Sequence, residues 1–173
     1  MPAYNAAPYI SEAIESILNQ TFKEFEFIII DDQSTDDTWK IIQKYAIKDK
    51  RIFSFQNKEN LKLSKTLNRG IAQVRGEYIA RMDADDISVP DRFQKQVDFL
   101  EEHQEVGLLG GSMEIRDTNN KLIGIRRYET NDTLIRKYIY RYCPFCHPSI
   151  MVRKSVMDSV GGYDDQWNPA EDY

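Results

Sequence analysis

Phe25-Glu26-Phe27-Ile28-Ile29-Ile30 is an apolar run, broken only by Glu26, that stops at the polar stretch Asp31-Asp32-Gln33-Ser34-Thr35-Asp36-Asp37. Such a short continuous run is what a strand buried on both faces requires, because neither face keeps a set of positions for water. A strand of that kind needs helices on both sides, and the flanking sequence supplies them. Upstream, Ile10, Ala13, Ile14, Ile17 and Leu18 fall at helical spacing on one face. Downstream, the Ser, Thr and Asp residues of the polar stretch are good helix N-caps, and Trp39, Ile42, Tyr45 and Ala46 mark a second amphipathic helix.

The unit then repeats. Residues 51–56 read as a strand, Asn57-Lys58-Glu59-Asn60 as a turn, and Leu63, Leu67, Ile71 and Val74 as the stripe of a third helix. Gly76 to Met82 reads as a further buried strand. Strands and helices alternating in this way predict an α/β chain with a mostly parallel, doubly wound sheet. Ligands of such sheets bind at the carboxyl ends of the strands. Residues 1–3 are too few to promise a strand, and Pro2-Ala3-Tyr4-Asn5 reads as the loop that follows one. The loops after residue 3, after Ile30 and after Met82 are therefore expected to open toward one edge of the sheet.

The last of these loops is Asp83-Ala84-Asp85-Asp86, three carboxylates at the tip of a core strand. Unpaired carboxylates are costly to bury, and neighbours of like charge add repulsion. A divalent cation with oxygen preference, Mg²⁺ or Mn²⁺, would relieve both costs. A solvated acidic turn capping the next helix is the simpler reading of D-x-D by itself.

Beyond Asp86, Phe93, Val97 and Leu100 predict a helix entered near Pro90. Residues 106–113 predict an apolar strand containing Gly110-Gly111, with residues 121–127 as its hairpin partner across the Asn119-Asn120 turn. A helix over 134–140, a strand over 149–152 and a short helix over 154–160 follow, then Gly161-Gly162-Tyr163. A single domain is expected over 1–173, as befits a chain of this length.

A net charge of −5 argues against a nucleic-acid partner, which would need a basic face. With no apolar run of membrane-span length and no signal-peptide pattern at Met1-Pro2-Ala3-Tyr4, a cytoplasmic location is expected. Cys143-Pro144-Phe145-Cys146-His147 fits the haem-attachment and redox spacings, but it precedes a late apolar strand rather than opening a helix. The match is read as a coincidence of spacing.

Taken together, five stretches resemble the family 2 glycosyltransferases of the GT-A fold. These are Pro2-Ala3-Tyr4-Asn5, then Leu18-Asn19-Gln20-Thr21-Phe22 at the end of a helix, then Ile30-Asp31-Asp32-Gln33-Ser34-Thr35-Asp36. Asn68-Arg69-Gly70 leads into Arg75-Gly76-Glu77-Tyr78-Ile79 and the D-x-D, and Gly161-Gly162-Tyr163-Asp164 precedes Glu171-Asp172. The resemblance implies a Rossmann-like three-layer sandwich whose first strand and C-terminal part are cut short. It assigns residues 1–112 to nucleotide binding and 113–173 to the acceptor side.

Carried over residue by residue, the resemblance makes Asp85 a metal ligand and gives Asp83 a share in the metal and ribose site, with Mn²⁺ or Mg²⁺ as the cofactor. Asp32 would accept the imide N–H of uracil, Tyr4 would stack on the base, and Pro2 and Ala3 would line its pocket. Arg81 would point toward the same edge or lie along the strand. Asp172 would be the general base, tuned by Glu171, in an inverting displacement. The implied donor is a UDP-sugar and the acceptor a saccharide, free or lipid-linked, in bacterial surface polysaccharide synthesis, with possible association at the inner membrane face. A nucleotide-binding module without turnover is the alternative. His147 is read as structural.

Overall fold

The computed structural model describes residues 1–167. In chain order the elements are β1 (Pro2–Ala3), α1 (Ile10–Leu18), β2 (Phe27–Asp31), α2 (Thr38–Lys48), β3 (Ile52–Gln56), α3 (Lys62–Ile71), β4 (Tyr78–Ala80) and α4 (Arg92–Glu102). They continue with β5 (Leu108–Leu109), β6 (Met113–Arg116), β7 (Leu122–Arg126), α5 (Asp132–Tyr138), β8 (Met151–Arg153) and α6 (Lys154–Val160).

β1, β2 and β3 form a parallel sheet with β2 in the middle, pairing Pro2 with Ile30 and Phe27 with Ile52. Pro2–Ala3 is thus a strand and not only a loop. Two residues suffice because β2 already presents a ladder to them. The alternating sides of β2 face two layers. Phe27 and Ile29 join the core of Ile10, Ile14, Ile17, Ile42 and Leu100. On the other face, the Cγ1 of Ile30 lies 3.5 Å from where a Cβ on Gly70 of α3 would stand. Helix, sheet and helix make the three layers anticipated from the apolar run.

β4 departs from a purely parallel reading. It pairs antiparallel with β8 (Ile79 with Val152), and β8 pairs antiparallel with β5. The expected strand over 106–113 is likewise split. β5 ends before Gly110, and β6, which carries the hairpin to β7, starts after Gly111. A Cβ at Gly110 would lie 3.0 Å from Phe145, and the Gly111 N–H donates to Ser149 Oγ at 2.8 Å. The 145–149 segment presses against the chain where a strand would otherwise continue.

Between β2 and β4 lies an apolar cavity of about 490 Å³ lined by Ile28, Ile30, Leu67, Ile79 and Met151. Met1 reaches into this region, its ammonium donating to Ile28 O at 2.9 Å while its own carbonyl accepts from Ile30 N at 3.0 Å.

The loop after the acidic cluster is held by a fully buried amide, Gln20, at the end of α1. Its Nε2 donates to Val89 O (2.7 Å), Ser16 O (3.1 Å) and Ser88 Oγ (3.2 Å), and its Oε1 accepts from Phe93 N (3.0 Å), an orphan donor of the first turn of α4. Gln20→Ala takes this partner from Phe93 N and Ser88 Oγ, both on buried residues, and is expected to cost about 3 kcal/mol in urea unfolding. A loss under about 0.5 kcal/mol, the level of an ordinary surface change, would mean that water replaces the amide without penalty.

Candidate functional site

The carboxyl ends of β1, β2 and β4 converge on a second cavity of about 500 Å³. Pro2, Ala3, Tyr4, Asp32, Asp83 and Asp85 all line it. Residues separated by about eighty positions in sequence therefore share one concave surface, where the parallel sheet and the β4–β8–β5 sheet meet.

Each wall has a local cause. On the β1 side, the chain turns at Asn5, which sits at φ +49°. The Asn5 side chain accepts from Thr35 N at 2.8 Å, and Asn5 N donates to Ser34 Oγ at 2.9 Å. Ala6 N donates to Thr38 Oγ1 at 2.8 Å. The loop after β1 is laced to the loop after β2, which leaves Tyr4 half exposed at the rim (52%).

Asp32 is nearly buried, and three protein donors hold it. Its Oδ1 accepts from Asn57 Nδ2 at 2.6 Å and Leu61 N at 2.8 Å, and its Oδ2 accepts from Lys62 N at 2.9 Å. The last two are free N–H groups at the start of α3, where a carboxylate also complements the helix dipole. Lys62 itself is at φ +69° and Gln33 at φ +60°. Three non-glycine residues in the left-handed region at or beside one pocket represent strain of about 1 kcal/mol or more each, concentrated where sites tend to store it. Asp31 is fully buried and does not face the cavity as Asp32 does. Its Oδ2 accepts from Gln56 Nε2 (2.9 Å) and Ser34 N (3.1 Å), which shapes the loop.

On the β4 side, Asp83, Asp85 and Asp86 each bring a carboxylate oxygen within 4.8 Å of the others. Burial, and then the charges of Asp83 and Asp85, push the Asp86 carboxyl above its ordinary range. This mutual repulsion and an all-oxygen donor set are what a hard divalent ion would relieve, so the residues fit such a metal. Arg81 does not line the cavity. It is buried behind it and forms an ion pair with Asp83 Oδ2, fixing how that carboxylate faces. Arg92 braces the same turn, donating to Arg81 O at 3.1 Å and Pro148 O at 2.9 Å. Its own pKa is drawn down to about 10 by burial, which leaves it charged at neutral pH.

Two parts of the site were not evident in the sequence. Asn57, read there as a turn residue, is buried and bridges Asp32 to Thr66 Oγ1 (2.9 Å), while Asn60 and Lys62 line the cavity. Asn residues flanking a turn before a helix are the local signal for such roles, since their side chains readily bind nearby backbone. His147 is buried, with Nε2 2.7 Å from the hydroxyl of Tyr163. Burial pushes the Cys146 thiol upward, and Cys143 Sγ donates to Phe145 O at 3.3 Å. Glu171 and Asp172 lie outside the described residues. Among the described residues no helix is long and apolar enough to cross a membrane.

Comparison with known proteins gives this geometry a family context. The chain is 39% identical over 165 residues to the putative glycosyltransferase EpsE of Bacillus subtilis, a match covering 94% of this chain and 58% of EpsE. It is 38% identical over 101 residues to the putative teichuronic acid biosynthesis glycosyltransferase TuaG of Bacillus subtilis, covering 58% of this chain and 40% of TuaG. Among solved structures, S. aureus TarS 1-349 in complex with UDP superposes with a TM-score of 0.80 at 25% identity, over 99% of this chain and 51% of that one. The chain thus spans roughly half the length of these proteins. Residues 1–161 match the model of glycosyl transferase family 2, and with a GT-A-like sheet beneath the acidic site the chain belongs to that family.

Proposed function

We propose that the chain forms the donor half of a metal-dependent, inverting glycosyltransferase that uses a UDP-sugar. One observation carries the reading: the loop bearing Asp32, the Pro2–Tyr4 turn and the Asp83/Asp85 cluster line a single cavity of nucleotide size. TarS is known in complex with UDP, and TuaG is named for teichuronic acid biosynthesis, which supports a bacterial surface polysaccharide as the product.

In this reading Asp32 accepts the imide N–H of uracil with the lone pairs its three protein donors leave free. Tyr4 stacks on the base at the rim. Asp85 and Asp83 hold Mn²⁺ or Mg²⁺, whose charge offsets that developing on the leaving diphosphate. Arg81, in its ion pair with Asp83, aims that carboxylate at the same position. Asp172, with Glu171 beside it, removes the proton from the acceptor hydroxyl. A single base opposite the leaving group gives inversion. Residues 1–112 serve the donor, and 113–173 begin the acceptor side, for a saccharide that is free or lipid-linked.

Calorimetric titration with UDP, with and without Mn²⁺, tests the donor site. Mn²⁺ is expected to tighten UDP binding by about tenfold or more, a gain of roughly 1.4 kcal/mol. Asp85→Ala should abolish that gain while leaving metal-free binding unchanged. Binding that ignores both Mn²⁺ and Asp85→Ala would rule out the metal assignment. UDP-sugar hydrolysis by the wild-type chain separates the enzyme from a module that only binds nucleotide.

A further inference from the structure

The middle of α3 grips a distant part of the chain. Asn68 Nδ2 donates to Tyr163 O at 2.7 Å, and Tyr163 N donates to Asn68 Oδ1 at 2.8 Å. One side-chain amide thus pairs with both backbone groups of a single residue 95 positions away, as a neighbouring strand would. The approach requires glycine at 162. Gly162 sits at φ +86°, and a Cβ there would lie 2.5 Å from Asn68 Oδ1. Gly161, at φ +83°, makes the preceding turn. The far end of the Tyr163 side chain meets His147 Nε2 at 2.7 Å, and Lys65, also on α3, reaches Asp165 at 3.6 Å.

The same helix holds the nucleotide side of the pocket. Leu61 N and Lys62 N at its start bind Asp32, and Thr66 accepts from Asn57, which also binds Asp32. Asn68 lies about 9 Å along the axis from Lys62 at the usual helical rise. A hydrogen-bonded helix transmits position over that distance with little give. Within the pocket's frame, α3 therefore has one end on Asp32 and its middle on the Gly162–Tyr163 backbone.

We propose that Asn68 is a positioning residue: acting through α3, it sets the segment from Gly161 to Asp165 in fixed relation to the Asp32 side of the donor pocket. The inference rests on the donor-site reading above. Asn68 does not line the donor cavity. Its effect falls on the alignment of the chain that continues from Tyr163, and hence on turnover more than on nucleotide affinity. Misplacing a reacting group by about 1 Å can cost on the order of a hundredfold in rate.

The test compares wild type with Asn68→Ala, using UDP with Mn²⁺ for binding and UDP-glucose and UDP-N-acetylglucosamine hydrolysis for turnover. Expected are a UDP affinity and KM within about twofold of wild type and a kcat lowered by about thirtyfold, inside the range that misalignment produces. Gly162→Ala should lower kcat strongly in the wild-type background and by a smaller factor in the Asn68→Ala background, where the clashing oxygen is gone and only the strain of alanine at φ +86° remains. Unchanged kcat, or affinity, kcat and melting temperature all falling together, would overturn the proposal. A wild-type chain that binds no UDP, or hydrolyses neither sugar, counts against the donor reading instead. Amide hydrogen exchange in the free protein then decides the grip itself. Tyr163 should lose protection in Asn68→Ala while Leu61 and Lys62 keep theirs, and equal Tyr163 rates would overturn it.

Discussion

Asp32→Ala is expected to lose UDP binding and about 3 kcal/mol of folding stability together, because one carboxylate serves both. The Leu61 and Lys62 N–H groups and the Asn57 amide all end on it. Removing it strips the start of α3 of its acceptor and leaves Thr66 Oγ1 as the remaining acceptor of Asn57 Nδ2, whose Oδ1 still accepts from Arg69. Asp32→Asn separates the two roles. The isosteric amide can keep its oxygen toward Asn57 and Leu61, but its NH₂ then faces the Lys62 N–H. That mismatch should cost less, about 1 to 2 kcal/mol, in urea unfolding. Nucleotide binding should fall as far as in the alanine variant, because an amide turned this way offers no acceptor on its Oδ2 side. Calorimetry with UDP and Mn²⁺ makes the comparison. An asparagine variant that binds UDP as wild type does would show that Asp32 braces the loop and does not read the base.

The second large effect concerns Arg92, whose guanidinium donates to Pro148 O at 2.9 Å and to Arg81 O at 3.1 Å. Arg92→Leu removes both charge-assisted donors from the turn that carries the acidic cluster, and is expected to cost about 3 kcal/mol in urea unfolding. A loss under about 0.5 kcal/mol, the level of an ordinary surface change, would mean that water satisfies both carbonyls.

Much of the fold was legible because its signals are short in range. The stripe of Ile10, Ala13, Ile14 and Ile17 and the run through Ile30 give periods that residues a few positions apart define by themselves, and both became the elements they implied. The convergence of Asp32, Asp83 and Asp85 also followed, although β4 belongs to a separate antiparallel sheet, because its carboxyl end opens beside those of β1 and β2. Arg81 illustrates the limit. Its two readings in sequence, at the edge or along the strand, resolve into a third arrangement, a buried cation behind Asp83 that sequence spacing does not encode.

The sequence by itself determined an α/β chain with its acidic loops on a common edge, through hydrophobic period and strand polarity. Tertiary structure alone decided that β4 runs antiparallel to β8, that Gln20 caps α4, that Asn57 and the start of α3 claim Asp32, and that Asn68 takes hold of Tyr163. The physical reason is the same in each case. A polar side chain is indifferent to its partner's place in sequence, and only the packed layers bring a given donor and acceptor to within hydrogen-bonding distance.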